Sequence, residues 1–479
     1  MKLAFEYGHG LMEANLPDTT DVFIPGETVK DPPVLEDIVG ATRAALENPL
    51  GMKPLSRLVT RDSKIVIIFP DKVKGGFQAD SHRKVSIPLI IEQCLAAGAD
   101  ERNIKLICSN GLHRKNTDRE IRSILGDAVF DRFHPWGQIV NHDSEDWDNL
   151  IDLGHEPHYN CPVIMNREVF ESDVAILIGH ALGNPYGGYS GGYKHCATGL
   201  THWKSIGSHH NPATMHKQDF VPVNSHSEMR GKFDAIGRYM EERMGKPYFV
   251  CDAVLDTNSR QIGVFAGTAE EVQKASWALA DKRTYVPWAK KKYDVMVFGM
   301  PQEFHYGNGM GTNPIFILQA ISAQIIRHKR VLVDNPVIIC SSLCNGYFHD
   351  EEFPSYRETF ELFQKDYANT LPDIERFGEA FSMRQEYIDA YRYSYGFHPF
   401  HAFSMISCGH IAEQHASAIY IVGAMEPGIA RAMGMKTRPT FESALSDAVK
   451  YVGKEPNILA LPRAFKTASV HLCMAEGKE

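Results

Sequence analysis

Residues 187–195 read GGYSGGYKH, four glycines, a serine and a lysine in nine positions. Glycine accepts positive φ and lets another group approach the backbone, while Ser190 and Lys194 supply a hydroxyl and an amine. With Gly191 and Gly192 they have the chemistry of a cradle for a phosphorylated ligand. Sixteen residues after Lys194 stands His210, in SIGSHHNP, and imidazole is the commonest side-chain ligand for a transition metal. Two other loops carry reactive groups: FPDKVKGG holds Asp71 and Lys74, and SNGLHRKNT holds His113. A lone glycine-rich turn is weak evidence for a ligand, and single histidines usually belong to satisfied polar networks. Four of the 22 histidines fall within the 16 residues 195–210, directly after the glycine run, which favours a functional reading.

The elements that must position these groups read as alternating strands and helices. KIVIIFPD (64–71), IKLICSNG (104–111), QIVNHD and DVAILIGH (173–180) are apolar, β-branched runs, and helical spacing fills VSIPLIIEQCLAAGA and TDREIRSILGDAVFDRF (117–133), the latter capped by Thr117. If the sheet is parallel, the carboxyl ends of its strands share one edge, and the loops bearing Asp71, His113 and Lys194 converge. After AEEVQKASWALADKRTYV the alternation begins again at YDVMVFGMP (293–301), with NILALP as the last strand. The expected fold is α/β with two α/β domains, 1–288 and 289–479, and the active site in the cleft between them. Residues 350–395 read as helical decoration without functional signal.

At 479 residues, 43% hydrophobic and 23% charged, the chain can bury a large core. A net charge of -9 with no basic run longer than AKKK argues against a nucleic-acid surface and points to a small-molecule partner. No window approaches the ~20 apolar residues of a membrane helix, and the start has no leader pattern, so no membrane partner and a cytoplasmic location are expected. The nine cysteines are scattered singly through apolar stretches and read as buried free thiols; Cys340 and Cys344 alone make a poor zinc signal.

The stretch PYGGYSGGYKHCATGLTHWKSIGSHH, with Asp71 and NGLHR, resembles the nickel-pincer lactate racemases and their relatives. The resemblance implies that Lys194 is joined through a thioamide to a pyridinium mononucleotide carrying nickel, with Asp71, Ser190, Gly191 and Gly192 around that cofactor and His210 as the protein's metal ligand. It implies interconversion of 2-hydroxy acid enantiomers by reversible hydride transfer, with His113 as the base that takes the hydroxyl proton, and dependence on other proteins to build the cofactor. One imidazole beside three soft donors on a rigid ring suits square-planar nickel.

Departures bear on the substrate. The family's second base corresponds to Asn184, whose amide cannot accept a proton at ordinary pH, which leaves a polar substrate contact there. His180, His195, His202 and His305 are the alternatives for a second base. Lys74 stands where the family has an arginine, keeping charge but losing the bidentate fork. In FHYGNGMGTNP, Tyr306 matches a substrate-contacting tyrosine, but Gly307 and Met310 replace a glutamine and a lysine; His305 and Asn308 offer neutral contacts. A 2-hydroxy acid larger or more hydroxylated than lactate is expected. Two other readings use the same residues: Lys194 as a Schiff-base lysine for pyridoxal phosphate, or an inert binding protein on a racemase scaffold.

Overall fold

The computed structural model describes residues 1–217, 227–364, 370–468 and 470–475. Its first sheet has six strands in the order Gln261–Gly267, Phe249–Leu255, Val174–His180, Ile65–Pro70, Ile104–Ser109, Ile139–Asn141. All neighbours are parallel except the first pair. Ile65–Pro70 and Val174–His180 are buried at every position, as strands covered on both faces must be, which is why they read as unbroken apolar runs. From Ile65–Pro70 the sheet grows one way to Ile104–Ser109 and the other way to Val174–His180. The crevice between oppositely wound halves, at the carboxyl ends of these strands, is where open α/β sheets receive ligands. Asp71 follows the first strand, His113 the second and the glycine loop the third.

The second sheet has eight strands built around Tyr293–Pro301, which pairs in parallel with Leu332–Ser341 on one side and with Ile458–Leu461 and Lys2–Gly8 on the other. It too winds both ways from one central strand, and the loop leaving that strand carries His305 and Tyr306. Helices Pro314–His328 and Phe400–His415 are apolar around almost their whole circumference and are buried over nearly their full length, as helices enclosed in a core must be.

Four expectations need correction. Lys2–Gly8, Gly10–Asn15 and Asp21–Val22 belong to the second sheet, so a unit running from 1 to 288 is not built from one sheet. Position 288 lies inside a strand, Tyr285–Ala289, which pairs with His471–Met474; Ile458–Leu461 is therefore not the last strand. The helix expected over 117–133 is two, Asp118–Leu125 and Asp127–Phe133, broken at Gly126 with φ of 82°. Its start is as read: Thr117 and Glu120 form a reciprocal cap. All nine cysteines are free, and all but Cys473 are buried. Among the described residues no helix is long and apolar enough to cross a membrane.

Candidate functional site

The loops from both sheets surround a cavity of about 380 Å³ lined by Asp71, Lys74, His113, Asn184, Ser190, Gly191, Lys194 and His210 on one side and by His305, Tyr306, Met310 and His401 on the other. The groups singled out from sequence thus meet, apart from Gly192, Gly307, His202 and Asn308, which do not line it.

Asp71 is 2% exposed, and its Oδ2 lies 2.7 Å from His113 Nδ1. Burial pushes its carboxyl up, but His113, with Lys74 and Arg83 behind it, outweighs burial and holds the group below the usual aspartate value. Arg83 also donates to the carbonyls of Pro70 and Asp71 at 2.6 and 2.9 Å, which fixes the strand end. An ionised carboxylate only accepts, so the proton sits on Nδ1 and the lone pair of His113 is on Nε2. Gly111, with φ of 53°, lets this loop pass against the helix Gly192–Gly199: a Cβ there would lie 2.2 Å from the Thr198 carbonyl.

The segment without functional signal holds that loop. Tyr391 Oη donates to the Gly111 carbonyl at 2.8 Å and accepts from Ser144 N–H at 2.9 Å. The His398 N–H bonds the Leu112 carbonyl at 2.9 Å, and Lys115 Nζ bonds the Arg392 carbonyl at 2.8 Å. Residues 391–398 therefore set the position of His113.

Lys194 stands in the first turn of the helix Gly192–Gly199 and is 9% exposed. Burial, reinforced by Lys74 and Arg230, holds its amine well below the usual lysine value; among the described residues nothing hydrogen-bonds Nζ, and the Phe233 ring lies 5.5 Å away. A lowered pKa and a free Nζ both favour use of this amine as a nucleophile. His210 Nδ1 lies 2.6 Å from His209 Nδ1, which leaves Nε2 for the cavity. Burial and Lys194 lower its pKa to about 3, so its nitrogen lone pair is free at neutral pH. Among the described residues no three His, Cys, Asp or Glu side chains converge on a metal position.

The glycine loop is built differently from a phosphate cradle. Ser190 N–H bonds the Leu182 carbonyl at 2.9 Å and Ser190 Oγ donates to the His180 carbonyl at 2.6 Å. The Gly192 N–H goes to Asp252 Oδ2 at 3.0 Å, and a Cβ on Gly191, where φ is 83°, would sit 2.3 Å from the same oxygen. The glycines let the loop fold over the buried Asp252 carboxyl, and the donors of Ser190 and Gly192 are spent on protein acceptors.

Asn184 is no base: its Oδ1 accepts from the N–H groups of Tyr186 and Gly187 at 2.9 and 3.0 Å. His202 caps a helix through Lys204 N–H and faces Glu145 at 3.6 Å, outside the cavity. Asn308 accepts from Gln302 at 2.9 Å and is likewise absent from the lining. His180, His195 and His305 do line it; His195 is tied through Nε2 to Ser109. Burial, with Lys74 and His113, drives His305 well below the usual histidine value. Lys74 is lowered by burial against the pull of Asp71.

Sequence reasoning missed His401. Its ring lies 5.5 Å from that of His113 and 4.8 Å from that of Tyr306. Tyr356 Oη meets Nδ1 at 2.6 Å, and Nε2 is buried without a partner. No motif surrounds it, and its helix is apolar on every face.

Residues 7–221 match the family described as the lactate racemase N-terminal domain. Over these residues, less than half of the chain, the sequence is similar to lactate racemases. A lactate racemase of Lactiplantibacillus plantarum is 27% identical over 247 residues, 51% of this chain and 54% of that protein. One of Thermoanaerobacterium thermosaccharolyticum is 25% identical over 236 residues, 49% and 51% of the two chains. The matches span about half the length of these curated relatives. The lactate racemase apoprotein of the same Thermoanaerobacterium species superposes with a TM-score of 0.72 at 18% identity, covering 98% of this chain and 100% of that one. A Thermotoga maritima protein gives 0.54 at 13% identity, covering 93% and 99%. The shared fold therefore continues past residue 221.

Proposed function

We propose that the protein is a racemase or epimerase of a 2-hydroxy acid larger than lactate, working with a nickel-pincer mononucleotide tethered to Lys194. The observation that carries this reading is the convergence on one cavity of an unengaged amine at Lys194, a neutral imidazole at His210 and the Asp71–His113 pair. The residues fit the group. Lys194 would hold it covalently, and a single protein imidazole suits a metal whose other donors come from the cofactor. Ser190 and Gly192 do not fit the role of phosphate donors.

When bound, the cofactor would supply a reversible hydride acceptor beside the substrate carbon. His113 Nε2 takes the hydroxyl proton as the carbonyl forms and gives it back on return, while Asp71 fixes the ring and compensates its positive charge. Lys74 supplies a point charge for the substrate carboxylate. Asn184 is assigned no proton transfer; His180, His195, His305 and His401 are the imidazoles available to the second face. Tyr306 packs edge-on to His113 at 5.3 Å and closes the site toward the second sheet. Met310, which lines the cavity where lactate racemases would present a lysine, supports a different, bulkier substrate.

Intact mass and nickel analysis of protein made beside cofactor-building enzymes test the reading. An adduct of mononucleotide size with about one nickel per chain, absent from Lys194→Ala, is expected. Protein from a competent host with neither adduct nor nickel refutes it.

A further inference from the structure

The cavity has a second positive end. Arg283 and Arg327 both line it, with Thr467 beside them, and no role falls to any of the three in the chemistry above. Arg327 leaves the helix Pro314–His328. Among the described residues it makes no hydrogen bond and no ion pair, and its Nε is buried without a partner. The Thr467 hydroxyl is also buried without a partner. Arg283 is 3% exposed and donates to the Ala468 carbonyl at 3.1 Å.

A guanidinium and a hydroxyl turned into one cavity without protein acceptors are costly unless a ligand supplies the acceptor. Burial lowers Arg327 to about 10, a shift that Tyr186 opposes and Arg283 deepens; it stays a cation at neutral pH, with a planar fork that matches phosphate or carboxylate oxygens. The loop expected to cradle a phosphate has already spent its Ser190 and Gly192 donors.

We infer that Arg327, Arg283 and Thr467 form a subsite for an anionic oxygen group, phosphate or carboxylate, of the molecule held in this cavity. The charge of that group follows from these three side chains. Its owner rests on the function proposed above, and is either the tethered mononucleotide through its phosphate or the hydroxy acid through a second carboxylate.

The test uses protein made without cofactor-building enzymes and reads binding by calorimetry, so a failed tethering reaction at Lys194 cannot mimic a failed subsite. Two ligand pairs are compared: nicotinamide mononucleotide against its riboside, and malate against lactate. Wild type should favour the more anionic member of one pair by about tenfold or more, the size of a charge-assisted hydrogen bond, and Arg327→Gln should erase that preference. Loss confined to the first pair assigns the subsite to the cofactor phosphate, and loss confined to the second assigns it to the substrate. Thr467→Val, which removes only a hydroxyl, repeats the comparison should Arg327→Gln fail to fold, and should weaken the same preference. No preference in wild type for either pair, or a preference untouched by both variants, overturns the inference.

Discussion

Replacing Asp71 by asparagine keeps the shape of the side chain and removes its charge. In the wild-type protein the carboxylate accepts His113 Nδ1–H at 2.7 Å in a site 2% exposed, so the imidazolium formed as the substrate loses its proton has a full negative charge beside it. A charge-assisted hydrogen bond of this kind contributes about 1.5–3 kcal/mol, and ~1.4 kcal/mol is tenfold in rate, so kcat should fall by roughly 10- to 100-fold. The interaction strengthens as the imidazolium forms, so KM should move little. The assay is loss of optical rotation with the hydroxy acid that turns over best, on protein whose adduct and nickel content match wild type. Stability carries a second readout with its own sign. A carboxyl whose folded pKa is lowered stabilises the fold above its unfolded value, near 3.9, and loses that contribution as pH falls through the folded value. The urea midpoint of wild type should therefore exceed that of Asp71→Asn at neutral pH and approach it in acid. Unchanged kcat in a correctly loaded Asp71→Asn enzyme would refute the pairing of Asp71 with a proton-transferring His113.

Tyr391→Phe removes the hydroxyl that joins Gly111 to Ser144 and leaves a buried Ser144 N–H without that acceptor; a stability loss of about 1–3 kcal/mol is expected, with kcat lowered through the misplaced His113 loop and the Lys194 adduct intact. Equal melting temperatures for variant and wild type would contradict this. Asp252 behaves oppositely to Asp71: burial raises its carboxyl to about 7, against the Gly192 and Gly179 N–H groups. Its stabilising contribution is complete below the unfolded value and is lost as pH rises through about 7. Between pH 4 and 8 wild type should lose on the order of 4 kcal/mol relative to Asp252→Asn, measured as diverging urea midpoints; parallel curves would show that Asp252 does not titrate there.

Strand ends were legible because parallel strands covered on both faces must be apolar at every position, so the polar residue closing each run marks the ligand-facing edge. Asp71 and His113 were found that way, and Lys194 through the glycine run that precedes it. The glycines of 187–192 were legible as an unusual backbone, but the carboxyl that crowds Gly191 and accepts from Gly192, Asp252, lies 60 residues beyond Gly192 in a strand that gives no sign of it. His401 was hidden because a helix apolar on all faces turns a histidine into one more buried residue. Arg283 and Arg327 were hidden by a sufficient local explanation: each stands in the last turn of a helix, where a cation is favoured by the helix dipole whatever else it does. The same division runs through the comparison with relatives. The matched residues 7–221 hold Asp71, Lys74, His113, Lys194 and His210, whereas Arg283, His305, Tyr306, Arg327 and His401 all lie beyond them. Likeness to lactate racemases therefore bears on Lys194, His210 and His113. The wall that faces them, with Arg283, Arg327 and Met310, lies outside the matched residues, so the proposed preference for a larger substrate rests on that wall.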